Sequence, residues 1–272
     1  MSQPLVSVIV PVYNGGAYLR RSIGSILAQR VDDIEVLVVN DGSTDDTRAV
    51  LDELAAADAR VVAIHQENAG VSQARNAALA VCRGRYIRFV DADDLLPEDG
   101  IEALIACAEE EDADVVYGAY TEVIGSSRSL RCLNRNRETL AVPDFLARLE
   151  KQCKSFCHGV LWNKLYRGDI IREHGLRFIP GLHWGEDFCF NMTYFQHCRR
   201  FSFLPVPVYE YIRNMGGAVI RQFFHSILHP IATAKDHGLL YRHYRELFRH
   251  HGLYETYRRR LWLYFFRFTL RN

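Results

Sequence analysis

The 272-residue chain carries 33 Lys and Arg against 33 Asp and Glu, with 49% hydrophobic and 24% charged residues, a globular composition that excludes wholesale disorder. The charge is uneven: residues 1–112 hold 20 acids and 9 bases, whereas residues 221–272 hold 3 acids and 10 bases. An acidic first half excludes nucleic acid as its ligand, and the basic, aromatic C-terminal end leaves an acidic surface open as a partner.

The predicted elements alternate strand and helix over the first 118 residues. Val6 to Val10, apolar but for Ser7, predicts a strand covered on both faces and lacks the basic-then-apolar profile of a signal peptide. Asn14-Gly15-Gly16 turns into a helix striped by Leu19, Ile23, Ile26 and Leu27. A second buried strand, Glu35 to Val39, leads to Ser43 and Asp46, which predict an N-cap for a helix faced by Val50, Leu51 and Leu54. Val61 to His65 is a third strand, followed by an alanine-rich helix over 71–81. The fourth, Tyr86 to Val90, ends abruptly in Asp91-Ala92-Asp93-Asp94. A helix starting near Pro97 and a strand from Asp114 to Tyr120 follow. This order predicts an α/β fold with a mainly parallel sheet flanked by helices.

Beyond residue 125 the alternation lapses. Residues 125–140 are polar and Arg-rich, a loop or a ribbon. Helical patterns return at Pro143–Lys154, Trp162–His174 and Glu186–Cys198, with a strand at Phe203–Arg213 and two or three helices after Arg221. Seven scattered cysteines, an odd number, predict free thiols in a reducing compartment. Cys153 and Cys157-His158 lack a second ligand pair for zinc. No apolar run approaches the length of a membrane span, so the reading is a cytoplasmic protein.

Ligands of open parallel sheets bind beyond the carboxyl ends of the strands. Tyr13 and Asn14, Asp41, Glu67 and Asn68, and Asp91 and Asp93 follow strands one to four in turn, so one rim gathers them all. Asp91 and Asp93, two residues apart on a segment leaving the sheet, can reach different parts of one ligand. Hard carboxylate oxygens beside a phosphate-bearing substrate suit Mg²⁺ or Mn²⁺. Asp94, Glu98 and Asp99 read as acids complementing a helix dipole.

Val6-Ser-Val-Ile-Val-Pro-Val-Tyr-Asn14, Val38-Val-Asn-Asp-Gly-Ser-Thr-Asp45, Asn68-Ala-Gly-Val-Ser-Gln-Ala-Arg-Asn76 and Tyr86-Ile-Arg-Phe-Val-Asp-Ala-Asp-Asp94 together resemble glycosyltransferase family 2, in order and spacing. Leu161-Trp-Asn-Lys-Leu-Tyr-Arg167 and Gly185-Glu-Asp-Phe-Cys-Phe190 resemble acceptor-side motifs of its bacterial polysaccharide branch. The resemblance covers about residues 4–215. It implies a GT-A type fold, with residues 1–125 as the nucleotide-sugar-binding half and 126–215 as the acceptor and catalytic-base half of one domain. Residues 216–272 form a C-terminal helical basic/aromatic extension.

By position the resemblance implies that Pro11, Tyr13 and Asp41 border the nucleotide base, with Asn68 and Arg75 near the base and the ribose or phosphates. It places Asp91 on the ribose, Asp93 on Mn²⁺ or Mg²⁺, and Asp187 as catalytic base with Glu186 in reserve. Asp187 also reads as a plain helix N-terminal acid, whose dipole would lower its pKa. Trp184 offers a platform for a sugar of the acceptor, and His183 lies beside it; either can instead fill core. Asn163-Lys164 can reach a phosphate or pack within a helix.

The implied activity is a metal-dependent, inverting hexosyltransferase that moves one sugar from a UDP-sugar donor to a saccharide or lipid-linked acceptor in surface polysaccharide synthesis. The competing functions are a catalytically inactive nucleotide-sugar-binding subunit and an aspartyl phosphotransferase. The second wants Thr two residues after its second Asp, where Leu95 stands here. Tyr254, Tyr257, Leu261, Phe265 and Phe268 share one helical stripe, widened by Trp262 and Phe266 and interspersed with Arg258, Arg259, Arg260, Arg267 and Arg271. That stripe predicts either peripheral contact with the inner face of the membrane, or packing on the acceptor region or on the second subunit of a homodimer.

Overall fold

A computed structural model describes residues 3–152, 155–182, 184–213 and 230–269, with side chains described except in 230–236 and 264–269. Cys153 and Arg271 therefore lie outside the described residues, as do the side chains of Phe265, Phe266, Arg267 and Phe268. The first half follows the predicted alternation: β1 Val6–Val12, α1 Gly16–Leu27, β2 Ile34–Asp41, α2 Thr47–Ala57, β3 Val61–Gln66, α3 Val71–Val81, β4 Tyr86–Phe89 and α4 Gly100–Glu110. β1 pairs in parallel with both β2 and β4, and β2 with β3. Val6, Val8, Val10 and Val12 enter one apolar cluster and Ile9 the other, so β1 is buried on both faces; Ser7, which interrupts its apolar run, is buried as well and donates to Glu35 at 2.6 Å.

The helix starts differ from prediction in two places. α2 begins at Thr47, where Asp45 accepts from the Thr47 amide at 3.0 Å, while Ser43 Oγ accepts from the Asn14 amide instead of capping. α4 begins at Gly100, because the Pro97 carbonyl is spent on a turn that accepts from the Gly100 amide at 2.9 Å.

The second half adds β5 Val115–Ile124, β6 Ser127–Arg131, β7 Glu138–Ala141, α5 Val142–Lys151, α6 Phe156–Gly159, β8 Lys164–Arg167, α7 Gly168–Glu173, α8 Glu186–Tyr194, a short 3₁₀ turn Phe195–His197, and β9 Arg200–Ile212. The Arg-rich stretch is a ribbon: β6 pairs antiparallel with β5, and β7 with β9. The helix predicted from Trp162 is overturned over its first part. Lys164 to Arg167 instead form β8, inserted antiparallel between β4 and β5, so sheet pairing on both edges overrides the local helical pattern. The strands run β3-β2-β1-β4-β8-β5-β9-β7 in one mixed sheet, with β6 beside β5. Buried Arg88 ties three of these strands together, donating to the Lys164 carbonyl at 3.2 Å and the Val208 carbonyl at 2.8 Å.

Two helices close the described chain, α9 Pro230–His250 and α10 Tyr254–Thr269. Tyr254 and Tyr257 pack on the core and Leu261 is buried in it, so this stripe of α10 packs on the rest of the chain. Among the described residues Cys82, Cys107, Cys132, Cys157 and Cys198 are free thiols, and no helix is long and apolar enough to cross a membrane.

Candidate functional site

The loops after β1, β2 and β3 are stitched to one another. Asn14 adopts a left-handed conformation (φ 51°), and its side-chain oxygen accepts from the Thr44 amide at 2.8 Å. Gly42 (φ 68°) lies so close to the next loop that a Cβ would fall 2.5 Å from the Asn68 nitrogen. Asp41, at the end of β2, is buried, and its carboxylate accepts from Gln66 Nε2 at 2.6 Å, the Ala69 amide at 2.9 Å and the Gly70 amide at 2.8 Å. A carboxylate has about four acceptor positions, so Asp41 retains one beyond these three bonds. Tyr13 and Asn68 are exposed beside it and Pro11 is half-buried. The structure thus brings Pro11, Tyr13, Asp41 and Asn68 to one rim, as their positions at strand ends predict.

Arg75 on α3 holds the centre of the site. Its side chain is 5% exposed and lies over the Phe178 ring at 5.4 Å. It donates to Asp187 at 2.6 Å, to Glu186 at 3.3 Å and to Asp91 at 3.3 Å, so one guanidinium joins the turn after β4 to the start of α8. The surrounding carboxylates hold the Arg75 pKa above its ordinary value against the opposing effect of burial. The resemblance implies Arg75 near the base and the ribose or phosphates; its bond to the candidate base lies outside that expectation. No local signal carries it, because Arg75 and Asp187 are 112 positions apart.

Glu186 and Asp187 occupy the first turn of α8, which three contacts fix. Asn191 accepts from the Tyr166 hydroxyl at 2.7 Å and donates to the Gly159 carbonyl at 2.8 Å, and Phe190 stacks on Phe178 at 4.3 Å. Gly185 before the pair has φ 85°, and a Cβ there would meet Leu240 of α9 at 2.5 Å. Burial, together with the charges of Glu186 and Asp91, pushes Asp187 up to about 8 despite Arg75. Burial thus reverses the lowering expected from the helix dipole. Trp184 is 38% exposed at the rim and meets the His237 ring edge-to-face at 6.0 Å; His183 lies outside the described residues.

The Asp91-Ala92-Asp93-Asp94 turn splits its acids. Asp91 and Asp93 are half-buried, and burial raises both pKa values. Asp94 is not a helix-end acid as predicted, for α4 begins only at Gly100. It is buried beneath the turn, accepting from the Tyr209 hydroxyl and the Ile212 amide, both at 2.7 Å. Tyr209 in turn accepts from the Asp91 amide at 3.1 Å, so the end of β9 carries the turn. The third acid of the run was the available signal; its partner on β9 had none.

Lys164 does not reach the rim. It is wholly buried, its ammonium donating to the Cys157 carbonyl at 2.8 Å and to Asn163 Oδ1 at 2.9 Å, and burial lowers its pKa to about 7. Among the described residues no three His, Cys, Asp or Glu side chains converge as a metal cage. Asp93 makes no ion pair among them. Its hard oxygens, beside Asp91, fit a divalent cation that takes its remaining ligands from diphosphate and water.

The family model for glycosyl transferase family 2 matches residues 7–175. The chain is 33% identical over 213 residues to the uncharacterized glycosyltransferase EpsJ of Bacillus subtilis, an alignment that takes in 78% of this chain and 62% of that protein. It therefore spans less than two thirds of that relative. Among solved structures it is similar to S. aureus TarS 1–349 in complex with UDP (TM-score 0.70, 22% identity, 88% of this chain and 64% of that one) and in complex with UDP-GlcNAc (TM-score 0.69, 22% identity, 90% and 72%). At that identity the likeness shows the shared fold, a sheet flanked by helices of GT-A type.

Proposed function

The chain belongs to glycosyl transferase family 2, and on that premise we propose that it moves one sugar from a UDP-sugar to a hydroxyl of a saccharide or lipid-linked acceptor, with inversion, in surface polysaccharide synthesis. The observation that carries this reading is the Arg75 cluster, in which one cation gathers Asp91 from the nucleotide-side rim and Asp187 from the acceptor-side helix. UDP and UDP-GlcNAc bound to TarS support the choice of donor.

In this reading Asp41 uses its remaining acceptor position for the N–H of the base, and Pro11, Tyr13 and Asn68 border that base. Asp91 takes the ribose, and Asp93 holds Mn²⁺ or Mg²⁺, which when bound offsets charge on the departing diphosphate. Asp187 removes the acceptor proton from the face opposite the leaving group, which gives inversion by single displacement. A base works best with a pKa near the working pH, and burial raises that of Asp187 in this direction. Arg75 orients the carboxylate and favours its ionised form, Glu186 shares the same guanidinium, and Trp184 borders the acceptor.

The test is acceptor-dependent UDP release from a panel of UDP-sugars with Mn²⁺. Asp187→Asn should keep UDP affinity and lose about 10²–10⁴ in turnover, the range for a missing general base. In the unaltered protein the acid limb of kcat/KM should lie well above the ordinary carboxylate value near 4. Activity rises there as Asp187 loses its proton. A variant with undiminished turnover would move the base elsewhere. A protein that binds UDP yet releases none from any UDP-sugar and acceptor would be a binding subunit.

A further inference from the structure

α10 turns two chemically different faces in two directions. Tyr254, Tyr257 and Leu261 pack inward, with Tyr257 meeting Phe248 of α9 at 5.3 Å. Trp262 and Leu263 point the other way and are 51% and 49% exposed. Arg258, Arg259, Trp262 and Leu263 stand at helical positions i, i+1, i+4 and i+5, so they share that outward face. With Tyr254 they line an open groove of about 490 Å³.

We propose that this outward face of α10 docks on an anionic lipid bilayer. Trp262 and Leu263 would enter the headgroup boundary, and Arg258 and Arg259 would meet lipid phosphates. Of the stripe that the sequence offers for that role, Tyr257 and Leu261 face the core and Tyr254 is shared between core and groove, so the lipid surface is the flanking sector that Trp262 opens.

Three observations favour a bilayer over other occupants. Residues 240–263 hold six arginines and two glutamates, an excess of positive charge that complements anionic lipid. Two of these arginines pair with acids at the surface: Arg258 meets Glu255 at 3.1 Å and Arg249 meets Glu246 at 3.2 Å. Such exposed pairs contribute little and exchange readily for phosphate. Arg259 makes no ion pair among the described residues. A two-fold dimer through this face would set the arginines of one copy against those of the other, since a symmetric interface repeats the same patch on both sides. α9 links this surface to the site, for its other end meets Trp184 through His237 and Gly185 through Leu240.

The test is co-sedimentation of the full chain with phosphatidylcholine vesicles, with and without phosphatidylglycerol, at low and high salt. The chain should bind only the phosphatidylglycerol vesicles, and salt should weaken binding as it screens the arginines. R258Q/R259Q should lower partitioning roughly 30-fold, from about 1 kcal/mol per arginine near the surface at 1.4 kcal/mol per tenfold. Trp262→Ser should lower it independently, while both variants keep the unaltered thermal midpoint and UDP affinity. Equal binding to neutral vesicles, or unchanged binding by the variants, overturns the proposal. So does a concentration-dependent dimer in sedimentation velocity that the same substitutions abolish while no vesicle is bound, which gives the face to a second copy. Retained UDP affinity separates these outcomes from any failure of the glycosyltransferase reading.

Discussion

Replacing Arg75 by methionine keeps the unbranched apolar stem and removes the guanidinium shared by Asp91, Glu186 and Asp187. Breaking a fully buried ion pair by deleting one partner costs about 3–5 kcal/mol. Here Arg75 is 5% exposed but the carboxylates retain 18–37% exposure, so water takes up part of the lost stabilisation. The low end, about 3 kcal/mol, follows, which in a chain of this size is a fall of about 6–12 °C in Tm. The deficit should depend on pH. Without the cation Asp91 and Asp187, whose pKa values burial already raises, favour their protonated forms more strongly in the folded state and rise further above their unfolded values. A carboxyl raised in this way contributes stability that is fully present below the unfolded value near 4 and is lost as pH rises through the folded value. The variant should therefore stand closer to the unaltered protein at about pH 5 than at about pH 8.5. Urea unfolding at the two pH values, followed by tryptophan fluorescence, measures both gaps. A deficit equal at both, or a fall in Tm below about 2 °C, would refute the view that Arg75 is the electrostatic keystone of the site.

Gly185→Ala should destabilise by about 2 kcal/mol or more, because alanine is strained at φ 85° and its Cβ would meet Leu240 at 2.5 Å; thermal unfolding reads this directly. Tyr209→Phe removes the hydroxyl that links Asp94 to the Asp91 amide and should weaken UDP binding in the presence of Mn²⁺ about tenfold, with less effect on its absence, as calorimetry would show. Asp93→Asn should abolish the Mn²⁺ dependence of UDP-sugar binding while leaving the thermal midpoint within about 2 °C, since Asp93 makes no ion pair among the described residues. Persistence of the unaltered Mn²⁺ response would take the cation away from Asp93.

The parallel half was legible because its signals are local. A short, mainly apolar run, a 3.6-residue stripe and a polar break each occupy a short window, and together they located β1 to β4 and α3. The strand-end residues Tyr13, Asp41, Asn68, Asp91 and Asp93 were legible for the same reason, since a parallel sheet sends all its carboxyl ends to one rim. Lys164 to Arg167 resisted because their helical neighbours set the local pattern while two distant strand edges set the conformation. The buried partnerships lay further out of reach. Asp94 finds Tyr209 across 115 positions and Arg75 finds Asp187 across 112, and only the folded chain decides which groups share a desolvated space. α10 shows the same division: sequence fixes its amphipathic period, but both the Tyr257 and the Trp262 sectors are apolar enough to bury. Which of them faces the core was settled by the packing of Tyr257 on Phe248 and the burial of Leu261, a choice that depends on where α9 places the helix and not on any property of the helix itself.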